Sequence, residues 1–135
     1  MAQEIARLGL RPDMVLCSDA VRTRETLALM VGHWAANSPR VVYDSTLYLA
    51  EPAAMLERIA RVPSVVETLM VLGHNPGMHA LALGLTGRGG SGLVHDLSTK
   101  FPTCGLAVLE FESDDWGDLP AGSGTLRGFT SPKQL

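Results

Sequence analysis

The chain has 135 residues with a formal net charge of -3, and 46% of its residues are hydrophobic. This length and composition predict a single globular domain, residues 1–135, and exclude a disordered chain. The basic residues are scattered, so no nucleic-acid partner is expected. No apolar run reaches the roughly 18 residues of a membrane span, and the N-terminus has no apolar signal core, so we expect a cytoplasmic protein without membrane contact. Cys17 and Cys104 lie in apolar runs without metal-ligand spacing, which predicts reduced core thiols.

The first third of the chain alternates short apolar runs with helical patterns. Ile5 and Leu8, followed by Gly9, indicate the last turns of a helix that ends at a glycine. The run "MVLCS" predicts a buried strand. Apolar residues at helical spacing from Ala20 onward predict a helix that ends before Asn37.

The middle of the chain repeats this alternation. "RVVYD" predicts a short strand, and Pro52 suits the first position of the next helix. "TLMVLGH" is continuously apolar, which is typical of a strand in a sheet covered on both faces. Asn75 can cap the following helix, and Pro76 can open it.

The last third is less regular. The composition of "TGRGGSG" predicts a flexible loop, and "GLVHDLSTKF" is interpreted as a continuation of this loop region. "CGLAVLEF" and "TLRGFTS" predict two strands that pair in antiparallel fashion. Strands that alternate with helices predict an α/β class, layered as α/β/α around a mostly parallel mixed sheet.

Two polar segments follow strands of this predicted sheet, where the sites of such folds form. In "CSDAVRTRET", Arg22 and Arg24 lie in the first turns of a helix, where an anion is favoured and an arginine can hold a phosphate. Ser18 can cap this helix or donate to the same anion. The alternative is an ordinary capped helix with solvated arginines.

The second polar segment is "GHNPG", in which His74 stands between a strand and a helix. A histidine at this point can act as a nucleophile, an acid–base group or a donor to phosphate. The alternative is a turn histidine whose ring bonds a nearby carbonyl. An arginine anion site and a histidine at matching strand ends favour phosphoryl chemistry.

These motifs resemble those of the histidine phosphatase (phosphoglycerate mutase-like) superfamily. "VLCSDAVRTRET" is similar to its second motif and "VLGHNPG" to its late histidine motif, while "KFPTCGLAVLEF" and "LRGFTSPKQL" resemble the SixA-type phosphohistidine phosphatases. The resemblance implies hydrolysis of a phosphoryl group through a phosphohistidine intermediate, with no cofactor and no metal. It also implies a phosphorylated protein as the substrate.

Individual roles follow from this resemblance. Arg22 matches the phosphate-binding arginine, and His74 matches the histidine that binds the phosphoryl group and stabilises charge in the transition state. Ser18 matches the motif serine, another phosphate-binding position. Asp19 stands where many members have proline, and Glu25 stands where many have glutamine.

The resemblance also implies a first motif, Arg-His-Gly or Arg-His-Ala, which supplies the nucleophilic histidine. None of the four histidines here follows an arginine. We therefore expect an N-terminally truncated domain that lacks its first central strand and has little turnover. The resulting gap in the sheet would invite pairing with a second copy of the chain. His33 is interpreted as a surface or packing residue, His79 as a residue that packs or that supports the site from behind His74, and His95 as a residue in a loop that could border the site.

One short strand and one helix fill the interval between Arg22 and His74, which leaves no room for a large lid. An open site suits a bulky substrate such as a phosphorylated protein. Glu51 in "YLAEPAA" is the candidate acid, although it could equally interact with a helix dipole. Two alternative functions stay open at this point: a non-catalytic phosphate-binding or scaffolding protein, and a phosphatase for small sugar phosphates.

Overall fold

The computed structural model describes residues 9–34, 38–102 and 105–130. The strands in this part are β1 (Met14–Cys17), β2 (Arg40–Tyr43), β3 (Leu69–Leu72), β4 (Thr86–Gly89), β5 (Leu106–Glu110) and β6 (Gly124–Thr130). The α-helices are α1 (Val21–Val31), α2 (Pro52–Ala60), α3 (Gly77–Leu85) and α4 (Ser91–Thr99), with short 3-10 helices at Gly32–Trp34 and Ser45–Leu47. The helix predicted at Ile5 and Leu8 and the core position predicted for Cys104 lie outside the described residues.

The α/β class with mostly parallel pairing is confirmed. β1 lies between β2 and β3 and pairs with both in parallel, whereas β6 lies between β4, a parallel neighbour, and β5, an antiparallel one. The antiparallel pair predicted from "CGLAVLEF" and "TLRGFTS" is therefore present. None of the helices in the described ranges is long and apolar enough to cross a membrane.

The first sheet is covered on both faces. All four residues of β1 are buried. Met14 and Leu16 pack into one apolar cluster with α2 and α3, while Val15 and Cys17 pack into a second cluster with α1. β3 follows the same alternation, which explains why a strand with two buried faces is continuously apolar in sequence.

The strands divide into two three-stranded sheets that share these clusters. Val71 of β3 and Leu109 of β5 border the first cluster, and Leu72 and Leu106 border the second. Within the described residues, β3 and β5 each pair along one edge only. The expectation that a sheet gap pairs with a second copy stays a prediction.

The glycine-rich segment after α3 was predicted to be a loop, and this prediction is wrong. Residues of "TGRG" form β4, and the following segment forms α4, whose Leu97 is fully buried. Gly87 allows a close approach of two backbone segments, because a Cβ there would overlap the carbonyl oxygen of Gly122. A composition that suggests flexibility is here a requirement of packing.

Asp44 ties the end of β2 to α2. Its carboxylate accepts hydrogen bonds from the Thr46 N–H at 2.9 Å and the Thr46 hydroxyl at 2.6 Å, and it pairs with Arg58 Nε at 2.6 Å. The bond from the Thr46 hydroxyl, aided by the Thr46 N–H and Arg58, lowers the pKa of the Asp44 carboxyl below its ordinary value of 3.8, against the opposing effect of burial.

We expect Asp44→Ala to lower the free energy of unfolding by about 1–3 kcal/mol at pH 7, because it removes charged hydrogen bonds. Since the pKa is lowered on folding, this stabilisation is present above the unfolded-state pKa. It is lost as pH falls through the lower folded-state pKa. Chemical denaturation at pH 7 and below pH 4 checks this. The exposed Asp114→Ala is the matched control, and an equal loss in both variants would contradict the prediction.

Candidate active site

Ser18 and His74 meet at the carboxyl edge of the first sheet. The parallel register places Cys17 opposite Leu72, and the Ser18 N–H extends the pairing by donating to the Leu72 carbonyl at 3.0 Å. Ser18 Oγ lies 2.9 Å from His74 Nε2, a hydrogen bond whose donor depends on the tautomer of the imidazole. Ser18 is fully buried and His74 is half-buried, so the pair lies just below the protein surface at this edge of the sheet.

The start of α1 lies directly beside this pair. Ala20 is the N-cap residue, and no side chain caps the helix. Capping of α1, one of the two roles predicted for the Ser18 hydroxyl, is therefore absent. From the start of the helix this hydroxyl accepts one long bond of 3.4 Å, donated by the Ala20 N–H, while the Thr23 hydroxyl donates to the Ser18 carbonyl at 2.7 Å. An uncapped first turn presents N–H groups and the positive end of the helix dipole, which favour an anion.

The two arginines of α1 differ in their surroundings. Arg24 lies over the ring of Tyr43, with its guanidinium carbon 4.8 Å from the ring centroid. Arg22 is exposed in the first turn, and its side chain has no hydrogen bond or ion pair with the described residues. Arg22 is therefore the arginine whose guanidinium can turn to a bound anion without breaking an existing contact.

Cys17 is next to Ser18 but is not suited to be a nucleophile. It is fully buried, and its thiol donates to the Ser18 carbonyl at 3.2 Å. Burial raises the pKa of the Cys17 thiol, although the Thr23 hydroxyl and Arg24 oppose this effect. The thiol therefore stays protonated at neutral pH, as predicted for a core cysteine.

Two mycobacterial proteins are similar to most of this chain. No protein-family profile matches the chain. The uncharacterized protein Rv1276c of Mycobacterium tuberculosis is 41% identical over 123 residues, which cover 90% of this chain and 74% of that protein. The uncharacterized protein ML1117 of Mycobacterium leprae is 38% identical over 122 residues, with 90% and 72% covered.

Two solved structures, both provisionally named phosphohistidine phosphatase SixA, have the same fold. The protein from Nakamurella multipartitia superposes with a TM-score of 0.81 at 30% identity, over 97% of this chain and 77% of that one. The protein from Agrobacterium tumefaciens gives a TM-score of 0.72 at 31% identity, over 97% and 75%. The chain belongs to the SixA family of the histidine phosphatase superfamily.

The other candidate residues of this SixA-family chain lie in different surroundings. Glu51 is exposed at the N-cap of α2 and makes no side-chain capping bond, so its role as an acid stays a prediction. The His79 ring bonds the Leu97 carbonyl at 2.5 Å, which agrees with a packing role. His95 is exposed on α4, a helix rather than the predicted loop, and the side chain of His33 lies outside the described residues.

Asn75 holds the histidine turn against the segment that follows α4. Its amide donates to the Phe101 carbonyl at 2.7 Å, and its carbonyl accepts from the His79 N–H at 3.3 Å. Asn75 thus bonds the first turn of α3, as predicted, although Pro76 is the N-cap residue. The link to Phe101 was not predicted, because it joins segments distant in sequence.

Tyr48 is a site residue that sequence reasoning missed. Its ring makes an edge contact with the His74 ring at a centroid distance of 5.1 Å and an interplanar angle of 74°. Gly77 allows the close approach of Ala50, two residues after Tyr48, because a Cβ at Gly77 would overlap the Ala50 carbonyl oxygen. The one feature of the sequence that could have indicated Tyr48 is its position, since it is an aromatic residue between a predicted strand and a helix that begins with proline.

We expect Gly77→Ala to lower the free energy of unfolding by about 1–3 kcal/mol through overpacking against Ala50. It should also weaken the NMR cross-peaks between the Tyr48 and His74 rings, because Ala50 must move away. Gly84→Ala is the control in the same helix: its Cβ meets nothing within 4 Å, so it should raise stability by about 0.5–1 kcal/mol. Equal effects of the two substitutions in a denaturation experiment would contradict this explanation.

Proposed function

We propose that this chain is a phosphohistidine protein phosphatase of the SixA type, with impaired turnover in the 135-residue form. The supporting observation is the hydrogen bond between Ser18 and His74 beside the uncapped first turn of α1. Helix N–H groups, the Arg22 guanidinium and the His74 imidazole provide the donors that a phosphoryl dianion requires, while the fully buried Ser18 hydroxyl holds the imidazole in place.

In this proposal the binding groups have separate roles. Arg22 holds two phosphoryl oxygens, and the helix start neutralises part of their charge. His74, kept in place by Ser18, donates to the oxygen on which charge grows as the phosphoryl group transfers. The family's covalent intermediate forms on a histidine of the first motif, and this sequence contains no such motif. Impaired turnover follows from that departure.

Two features support a phosphorylated protein as the substrate: the openness of the site and the imidazole leaving group of a phosphohistidine. Ser45–Leu47 and α2 are the helical elements between β2 and β3, so no large lid covers His74 within the described residues. A surface site of this kind can receive a phosphorylated side chain on another protein. An imidazole leaves readily once protonated, so hydrolysis depends less on an acid such as Glu51 than hydrolysis of an alkyl phosphate does.

A non-catalytic phosphate-binding function is a second candidate, and one observation favours it. In the part of the chain that the structure describes, the His74 ring contacts Ser18 and Tyr48 but no second histidine. Adding an N-terminal strand with the Arg-His-Gly motif distinguishes the candidates. Gain of phosphohistidine-peptide hydrolysis that His74→Ala abolishes supports the enzyme. Phosphate binding without any such gain supports the binding protein.

We expect Arg22→Ala to weaken the binding of inorganic phosphate at least about tenfold, because it removes charged hydrogen bonds to the anion. Arg24→Ala removes the same charge from the same turn but from an arginine already placed over Tyr43, and it should cost less than about threefold. Isothermal titration calorimetry on the unmodified chain and both variants measures this. Equal losses would show that the helix attracts phosphate only by net charge, and no binding by the unmodified chain would refute the proposal.

A further inference from the structure

Tyr48 and Tyr43 are both exposed aromatic residues on the edge of the first sheet, and they differ in what covers their rings. Tyr43 is 47% exposed and carries the Arg24 guanidinium on its ring. Tyr48 is 57% exposed, contacts His74, and has no cation over its ring within the described residues. Tyr48 is therefore an open aromatic surface directly beside the proposed phosphoryl site.

The backbone on both sides holds Tyr48 in place. Leu47 is 1% exposed in the core, and the Tyr48 N–H donates to the Ser45 carbonyl at 3.1 Å. Leu49 has a φ of 49°, in the left-handed region, where a bulky residue costs roughly 1–2 kcal/mol. The Ala50 N–H then donates to the Leu47 carbonyl at 3.3 Å. A strained turn that keeps an aromatic ring exposed indicates that the ring contributes to a function rather than to the core.

We propose that Tyr48 is a specificity-determining residue that receives the imidazole ring of the substrate phosphohistidine; this inference rests on the proposed function. When the second nitrogen of that ring is protonated, the ring is planar and cationic, and a tyrosine ring attracts it through a cation–π contact. As the P–N bond breaks, its electron pair goes to the imidazole nitrogen and the ring leaves neutral, while water supplies the oxygen bound to phosphorus in the overall reaction.

An alkyl phosphate gains nothing from this contact. Phosphoserine presents the same phosphoryl oxygens to Arg22, His74 and the start of α1, but its leaving group is neither planar nor cationic. The open ring of Tyr48 therefore distinguishes substrates that the phosphate-binding groups cannot distinguish. Tyr43 cannot take this role, because Arg24 already occupies its ring.

The test is a binding experiment on the 135-residue chain with three probes: inorganic phosphate, a phosphohistidine peptide, and the same peptide with phosphoserine. We expect Tyr48→Leu to weaken binding of the phosphohistidine peptide about fivefold, within the range of cation–π contacts. Binding of inorganic phosphate and of the phosphoserine peptide should change less than about twofold. Tyr48→Phe, which keeps the ring, should bind all three probes like the unmodified chain.

Tyr43→Leu is the matched control, since it removes the other exposed tyrosine of this edge, and it should leave the preference for phosphohistidine unchanged. Equal weakening of all three probes by Tyr48→Leu would overturn the inference, because it would mean that Tyr48 only positions His74. An unchanged phosphohistidine affinity would overturn it as well. Absence of phosphate binding by the unmodified chain would refute both the proposed function and this inference, whereas the two preceding outcomes overturn the inference alone.

Discussion

The site depends on the parallel pairing of β1 with β3. The register that sets Cys17 opposite Leu72 puts Ser18, the next residue, and His74, two residues beyond Leu72, at one edge of the sheet and within hydrogen-bond distance. A slip of one residue would turn the side chains of β3 to the opposite face. Packing prevents this slip, because β1 is wholly buried and alternate residues of both strands enter different apolar clusters. The core thus determines the distance between two polar side chains.

The same sheet positions the groups that come from outside it. α1 starts four residues after the last residue of β1 and brings Arg22 to the edge, while the turn after β2 brings Tyr48. That turn is fixed by Asp44, which bonds Thr46 and Arg58, and by the close approach of Ala50 to Gly77. Loops that carry functional groups need such a rigid support, because their own backbone buries little apolar surface.

Much of this could be predicted from local patterns. Continuous apolar runs indicated the buried strands, and polar residues directly after them indicated the edge where Ser18, Arg22 and His74 lie. The glycine segment could not be interpreted in this way, since Gly87 is required by a contact with Gly122, a residue distant in sequence. Tyr48 was missed for the same reason: its contact with His74 exists only because the sheet brings β2 and β3 to the two sides of β1.

Recognition of the phosphoryl group and recognition of what it is attached to are separate problems for such a site. Arginine, helix N–H groups and a histidine bind any phosphate monoester or phosphoramidate, because all of them present the same charged oxygens. Selectivity must come from the groups around the leaving atom. In the proposed site those groups are few, and the uncovered ring of Tyr48 beside His74 is the one that we propose responds to the charge and planarity of an imidazolium. Arg24 lies over the ring of Tyr43. Of the two exposed tyrosines at this edge, Tyr48 is therefore the one whose ring stays available to a ligand.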